Sequence, residues 1–155
     1  MNDLSDLLRP DAIVTDISAA SKKLMLQQLG TLAGRLTGED HRDIVDRLMA
    51  RERLGSTGFG GGVAIPHAKL DGLDTVVGLF ARLAQPVDFD AVDGLPVDLV
   101  FVLLSPARAG AEHLKALARV SRQLRDRDMV AKLRGAGSQD AVFALLCAGD
   151  ARDAA

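Results

Sequence analysis

The stretch Val97–Leu104 (Val-Asp-Leu-Val-Phe-Val-Leu-Leu) constrains the fold more than any other part of this chain. Within it, Leu99–Leu104 is an uninterrupted apolar run of six residues. That is far short of the roughly 20 residues a membrane-spanning helix needs. A nearly continuous apolar segment of this length reads as a central strand buried on both faces.

The remaining pattern supplies helices and shorter strands around it. Ile13–Thr15 and Val63–Ile65 read as short strands, and Thr75–Leu83 is β-branched and apolar enough for a longer one. Ser18 is an N-cap candidate for a helix running to about Leu36, with Met25, Leu29, Leu32 and Leu36 on one side and Gly38 as the stop. A second helix covers about Asp40–Leu54, with Ile44, Val45, Leu48 and Met49 on one face. Gly110 to about Arg127 is helical, with a stripe of Leu114, Leu117, Ser121 and Leu124. Val130–Leu133 is a short element, and Ser138 caps a last helix to about Cys147, after which Ala148–Ala155 is expected to fray. Strands mixed with helices over one core make the fold class α/β. No repeat or linker divides the 155 residues, so a single domain is expected.

Composition excludes several functions. Nineteen basic and 21 acidic residues leave a net charge of −2, with no general nucleic-acid or membrane footprint. Tyr and Trp are absent, which leaves few base-stacking platforms. The lone cysteine, Cys147, cannot form an intramolecular disulfide and reads as a buried hydrophobe. Met1-Asn2-Asp3-Leu4 has no basic region followed by an apolar stretch, so no signal peptide is expected and the cytoplasm is the expected location.

The chemistry concentrates in Arg51–His67. A charged helical segment leads into a loop, residues 55–62, with five glycines in eight positions. A short apolar strand then ends on Pro66, followed at once by His67. Pro66 fixes its own φ and restricts Ile65, so the chain reaches the imidazole with little freedom. Imidazole suits nucleophilic or proton-transfer chemistry near neutral pH. Glycine-loop N–H groups and an arginine can stabilise an anionic group. At 100° per residue, Arg51 falls about 20° from Ile44, at the edge of the helix's buried stripe. Glu52 lies nearer the centre of that face and must pair with something, orienting Arg51 being one option; Arg53 projects away. Ser56 and Thr57 are either hydroxyl donors to a pocket or turn residues bonding their own backbone. Phe59 is either an exposed partner anchor or packed on the core.

His113 opens the helix after the central strand, where ligands gather in α/β folds, and shares one side with Leu117, Val120 and Leu124. His41, in the acidic Glu39–Asp43 run, reads as solvated. Other glycine-loop functions fail in detail. No Gly-Lys-Ser/Thr follows the loop, Val63 occupies the last glycine position of a dinucleotide fingerprint, and no Gly-x-Ser-x-Gly elbow exists. Three scattered histidines and one cysteine make no metal cluster. No ATP, NAD or metal cofactor is expected.

Arg51-Glu52-x-x-Gly55-Ser56-Thr57-Gly58-x-Gly60-x-Gly62-x-Ala64-x-Pro66-His67 resembles the active-site signature of the type 2 EIIA domains of the bacterial phosphotransferase system, the mannitol/fructose class and its nitrogen-regulatory relatives. The resemblance extends over about residues 5–147. It implies a mixed sheet flanked by helices on both sides. It implies that His67 accepts a phosphoryl group, that Arg51 binds phosphoryl oxygens, and that His113, in His113-Leu114-Lys115-Ala116-Leu117, hydrogen-bonds His67 or the phosphoryl group. Ser56, Thr57 and Gly58 are further pocket candidates. An HPr-type phosphocarrier would act upstream, making the chain a phosphocarrier rather than a stand-alone enzyme. Downstream partners would be regulated transporters or sensor kinases in a nitrogen-regulatory protein, or an EIIB in a sugar-specific one. No nucleic acid and no membrane insertion are implied. The opening Asp6-Leu7-Leu8-Arg9-Pro10-Asp11-Ala12-Ile13 resembles the nitrogen-system proteins, and no membrane, EIIB or carrier-type domain is fused, so the regulatory branch is expected.

Overall fold

The computed structural model describes residues 4–147; the expected fraying of Ala148–Ala155 and the Met1–Asp3 part of the signal-peptide reading lie outside them. Six strands form one mixed sheet. They are β1 (Ile13–Ile17), β2 (Gly58–Gly60), β3 (Val63–Ala64), β4 (His67–Leu70), β5 (Val77–Val87) and β6 (Val97–Pro106). Five helices cover it: α1 (Lys22–Thr37), α2 (His41–Arg53), α3 (Ala111–Arg125), α4 (Arg127–Gly135) and α5 (Gln139–Cys147).

β6 is the expected two-faced strand. Leu99 to Leu104 are all buried, on both sides of the pleat. It pairs antiparallel with β5, and β1 adds to β5 in parallel. Its other edge carries β3 and β4 in succession, both parallel to β6, with β2 outside β3. β3 and β4 are two pieces of one line. Val63 stands opposite Leu99 and His67 opposite Leu103, so the register is the same before and after the break. The break falls at Ile65–Pro66 because proline has no N–H to donate. Its carbonyl still accepts from Leu103 N–H at 2.9 Å, which keeps the line attached.

This corrects the reading that the strand ends at the proline: it resumes at His67, placing the imidazole on a strand rather than in a loop. The glycine segment likewise contains a short strand, β2. β5 starts later than Thr75 and runs on to Val87, where it pairs with Val97. The first helix is capped by Ser21, whose hydroxyl accepts Leu24 N–H at 3.2 Å; Ser18 instead gives its carbonyl to Gln28. Gly38, at φ 77°, closes that helix in the left-handed region that favours glycine. The helix expected through Arg127 breaks at Asp126, which caps α4 by accepting the N–H groups of Asp128 and Met129. α3 buries His113, Ala116, Val120 and Leu124, while Leu114 is 65% exposed, so the expected leucine stripe is displaced by one residue. Cys147 is half-buried rather than fully buried. Among the described residues no helix is long and apolar enough to cross a membrane.

Candidate functional site

α2 lies alongside β4, and two arginines one helical turn apart bind it. Arg47 donates to the Lys69 carbonyl at 3.1 Å and is paired with Asp43. Arg51 donates through Nε to His67 Nε2 at 3.1 Å and through Nη1 to the Gly55 carbonyl at 2.9 Å. A cavity of ≈ 630 Å³ opens here, lined by these two arginines and by Leu54, His67, Lys69 and His113. Leu54 is 84% exposed at its rim.

The hydrogen bonds define the His67 tautomer. Nδ1 lies 2.9 Å from the Ile65 carbonyl, which can only accept, so Nδ1 carries the proton. Nε2 therefore keeps its lone pair and accepts from Arg51. Burial pushes the His67 pKa below 6.5, the Arg51 guanidinium adds to the effect, and the Ile65 carbonyl and the Glu52 carboxylate oppose it. The result is a neutral imidazole with one nucleophilic nitrogen.

His113 reaches the same place from the start of α3. Its ring centroid is 5.5 Å from that of His67, with the planes tilted by 49°. Its Nδ1 is 2.6 Å from the hydroxyl of Ser105, a fully buried residue near the end of β6. Its Nε2 is uncommitted among the described residues. Burial lowers its pKa, and His67 and Lys69 lower it further. Ser105 escaped sequence reasoning, since a serine closing an apolar strand carries no motif. Lys69 had a faint signal: two residues beyond His67 on a strand, it shares that residue's face.

Arg51, His67 and His113 are thus brought together, while Ser56, Thr57 and Gly58 form the frame behind them. The Ser56 hydroxyl donates to the Phe89 carbonyl at 2.7 Å and accepts from Gly58 N–H at 3.0 Å. The Thr57 hydroxyl donates to Glu52. The loop N–H groups of Gly55, Thr57, Gly58 and Gly61 are committed to Glu52, Ser56 and Asp93. The loop also gives the Gly55 carbonyl to Arg51. Glu52 is buried and pairs with Lys22 and Thr57 rather than with Arg51. Phe59 is half-buried against the core beneath the Arg125 guanidinium, 4.3 Å from the ring centroid. His41 and Arg53 are exposed. Among the described residues no group of three or more His, Cys, Asp or Glu side chains could hold a metal ion.

Residues 6–148 match the family model described as "Phosphoenolpyruvate-dependent sugar phosphotransferase system, EIIA 2". The chain belongs to the type 2 EIIA family. A nitrogen regulatory protein of Bradyrhizobium diazoefficiens is 50% identical over 143 residues, covering 92% of this chain and 94% of the relative. The crystal structure of nitrogen regulatory protein IIA-Ntr from Neisseria meningitidis superposes with a TM-score of 0.88 at 39% identity, covering 92% of this chain and 98% of that one. The Escherichia coli mannitol IIA, in its complex with phosphorylated IIB, gives a TM-score of 0.75 at 21% identity over 90% of this EIIA and 98% of the other, a likeness of fold alone. Proteins of this family work with phosphocarriers and EIIB components.

Proposed function

We propose that this EIIA is a phosphocarrier of the nitrogen phosphotransferase system, acting in the cytoplasm and accepting a phosphoryl group on His67 Nε2 from an HPr-type carrier. The observation that carries the site assignment is the tautomer: Nδ1–H held by Ile65, Nε2 with its lone pair inside a cavity that also holds Arg51 and His113. The nitrogen branch is supported by the 50% identity to a nitrogen regulatory protein.

The chemistry needs little beyond placement and charge. A phosphohistidine on the carrier approaches through the cavity mouth. The Nε2 lone pair forms the new N–P bond as the carrier's N–P bond breaks, and that electron pair returns to the carrier's imidazole. Nδ1 keeps its proton, so the positive charge gained by the ring faces the Ile65 carbonyl. Arg51 releases Nε2 and turns its planar fork to the phosphoryl oxygens, where two parallel hydrogen bonds are available. With the Ser105 hydroxyl donating to His113 Nδ1, His113 Nε2 carries a proton and donates to a phosphoryl oxygen. Ser56, Thr57 and Gly58 support this arrangement from behind. The modified ring adds a charge of about −2 to a surface bearing Arg47, Lys69 and the exposed Leu54, which changes what that surface can bind. Regulated transporters or sensor kinases are the downstream partners of this reading.

The test is intact-mass detection of phosphoryl transfer from phosphoenolpyruvate, through an Enzyme I-type kinase and an HPr-type carrier. One acid-labile phosphoryl group on the wild type and none on His67→Ala is the expected result. No label with any carrier would overturn the proposal. Onward transfer to a sugar-specific EIIB would move the protein to the sugar branch instead.

A further inference from the structure

Next to Arg51 in sequence lies a buried carboxylate for which the transfer chemistry has no use. Glu52 is 8% exposed and sits at the hub of a polar cluster behind the site. One oxygen accepts Thr57 N–H at 3.1 Å and the other accepts the Thr57 hydroxyl. The Thr57 carbonyl in turn accepts Ile65 N–H at 3.2 Å. The Ile65 carbonyl accepts His67 Nδ1–H at 2.9 Å. A single chain of hydrogen bonds therefore runs from the Glu52 carboxylate, through the backbone of Thr57 and Ile65, to the ring of the acceptor.

We propose that Glu52 is a positioning residue for His67: acting through Thr57 and Ile65, it locks the acceptor imidazole as the Nδ1–H tautomer, and Lys22 holds Glu52 in place. The inference rests on the reading of His67 as the phosphoryl acceptor. Its physical content is that a hydrogen bond at one ring nitrogen decides which nitrogen is protonated. That bond is only as firm as the Ile65 peptide group. Ile65 lies at the interruption between β3 and β4, and its N–H is held by Thr57. If Thr57 moves, Ile65 can turn. His67 Nδ1 then loses its acceptor, the proton can settle on Nε2, and the attacking lone pair is gone.

Lys22 secures the other end. Its Nζ is 2.9 Å from Glu52 and 3.2 Å from the Phe89 carbonyl, and lies 4.4 Å from the centroid of the Phe89 ring. The same carbonyl takes the Ser56 hydroxyl. The start of α1, the end of α2, the glycine segment and the loop after β5 thus converge on one ion pair. A buried carboxylate with its cation removed is strongly unfavourable, so the pair holds as a unit.

The experiment reads the ring directly. Histidine-labelled protein is examined by long-range 1H–15N correlation above the pH at which the histidines titrate, and the phosphorylation rate from the carrier is measured in parallel. Wild type is expected to show His67 protonated at Nδ1 and bare at Nε2. Thr57→Val keeps the shape but removes the hydroxyl, and Glu52→Gln keeps the shape but removes the charge. Each is expected to raise the Nε2–H population and to slow phosphorylation about ten- to a hundredfold, the scale of a small misplacement of reacting groups. Thr57→Ser is expected to restore both. Should Glu52→Gln fail to fold, the Thr57→Val and Thr57→Ser pair decides the matter. A folded Thr57→Val that keeps the wild-type tautomer and rate would overturn the inference, as would a wild-type ring protonated at Nε2. A wild type that takes no phosphoryl group would sink the phosphocarrier reading instead, while the tautomer comparison would still judge the Glu52 chain.

Discussion

Arg51 meets His67 through Nε and the glycine loop through Nη1, so one planar side chain is fixed at two points. Lysine at this position would offer a point charge without the fork. A hydrogen bond involving a charged group is worth about 1.5–3 kcal/mol. Arg51→Lys is therefore expected to slow phosphorylation of His67 by roughly tenfold or more, with urea unfolding close to wild type because the side chain is only half-buried. Single-turnover transfer from the labelled carrier measures the first, and a urea titration the second. Equal transfer rates would mean that the guanidinium geometry is not used. At this scale the sequence was legible for the residues with chemical character. Arg51, His67 and His113 were all singled out, and they meet in one cavity. Ser105 and the Ile65 carbonyl were not. A backbone oxygen has no side-chain signature, and Ser105 becomes relevant only where β6 and α3 bring it to His113.

Among the elements, α2 and the β3–β4 line carry the site, and each has a simple point of failure. Asp40 opens α2 by accepting Arg42 N–H at 3.0 Å. Asp40→Ala removes that cap and is expected to cost about 1 kcal/mol, read as a lowered urea midpoint. An unchanged midpoint would show that tertiary contacts alone hold the start of the helix. In β5, Gly78 faces the buried ring of Phe101, and an added Cβ would come 2.6 Å from its Cζ. Phe101 is fully buried in β6 and has no room to retreat. Gly78→Ala is therefore expected to destabilise the protein by about 1–3 kcal/mol in the same titration. The strand that continues past Pro66 was hidden in the sequence because a proline ordinarily ends a ladder. The break between α3 and α4 falls at Asp126, just before the expected end near Arg127; no glycine or proline marks it, and the stop is set by the Asp126 side chain capping α4.

For the molecule as a whole, pH provides a test of how the site is built into the core. His67 and His113 both have folded pKa values held below 6.5, burial being the main cause in each. The groups facing them are Arg51, Glu52 and Lys69 as well as each other. Depressed histidine pKa values mean that the unfolded chain binds protons more readily than the folded one. Their stabilising contribution is complete above pH 6.5 and is lost as pH falls from there through the lowered values. Asp6, lowered by its hydrogen bonds from Arg119, titrates below 3.8 and leaves this window clear. Urea unfolding should show stability falling below pH 6.5 in the wild type and a shallower fall in a chain carrying both His67→Gln and His113→Gln. Identical slopes would mean that the two rings titrate in the folded protein as they do in water.

What the sequence determined by itself was whatever is written in local pattern: the central strand from its unbroken apolar run, the two-helix lead into the glycine segment, the α/β class, and the residues of the Arg51–His67 motif. These are legible because burial on two faces, helical period and a glycine cluster each leave a trace in consecutive residues. The tertiary structure decided what depends on partners far apart in the chain. It made Thr57 and Ser56 part of the frame, because Glu52 and Phe89 reach their hydroxyls first. It set His113 5.5 Å from His67 across the edge of the sheet. It set the tautomer of His67, because Nδ1 meets the Ile65 carbonyl and Ile65 N–H is held by Thr57 in a loop folded back against α2. A proton's position on a ring is an energy difference set by neighbours in space, and those neighbours exist only once the chain has folded.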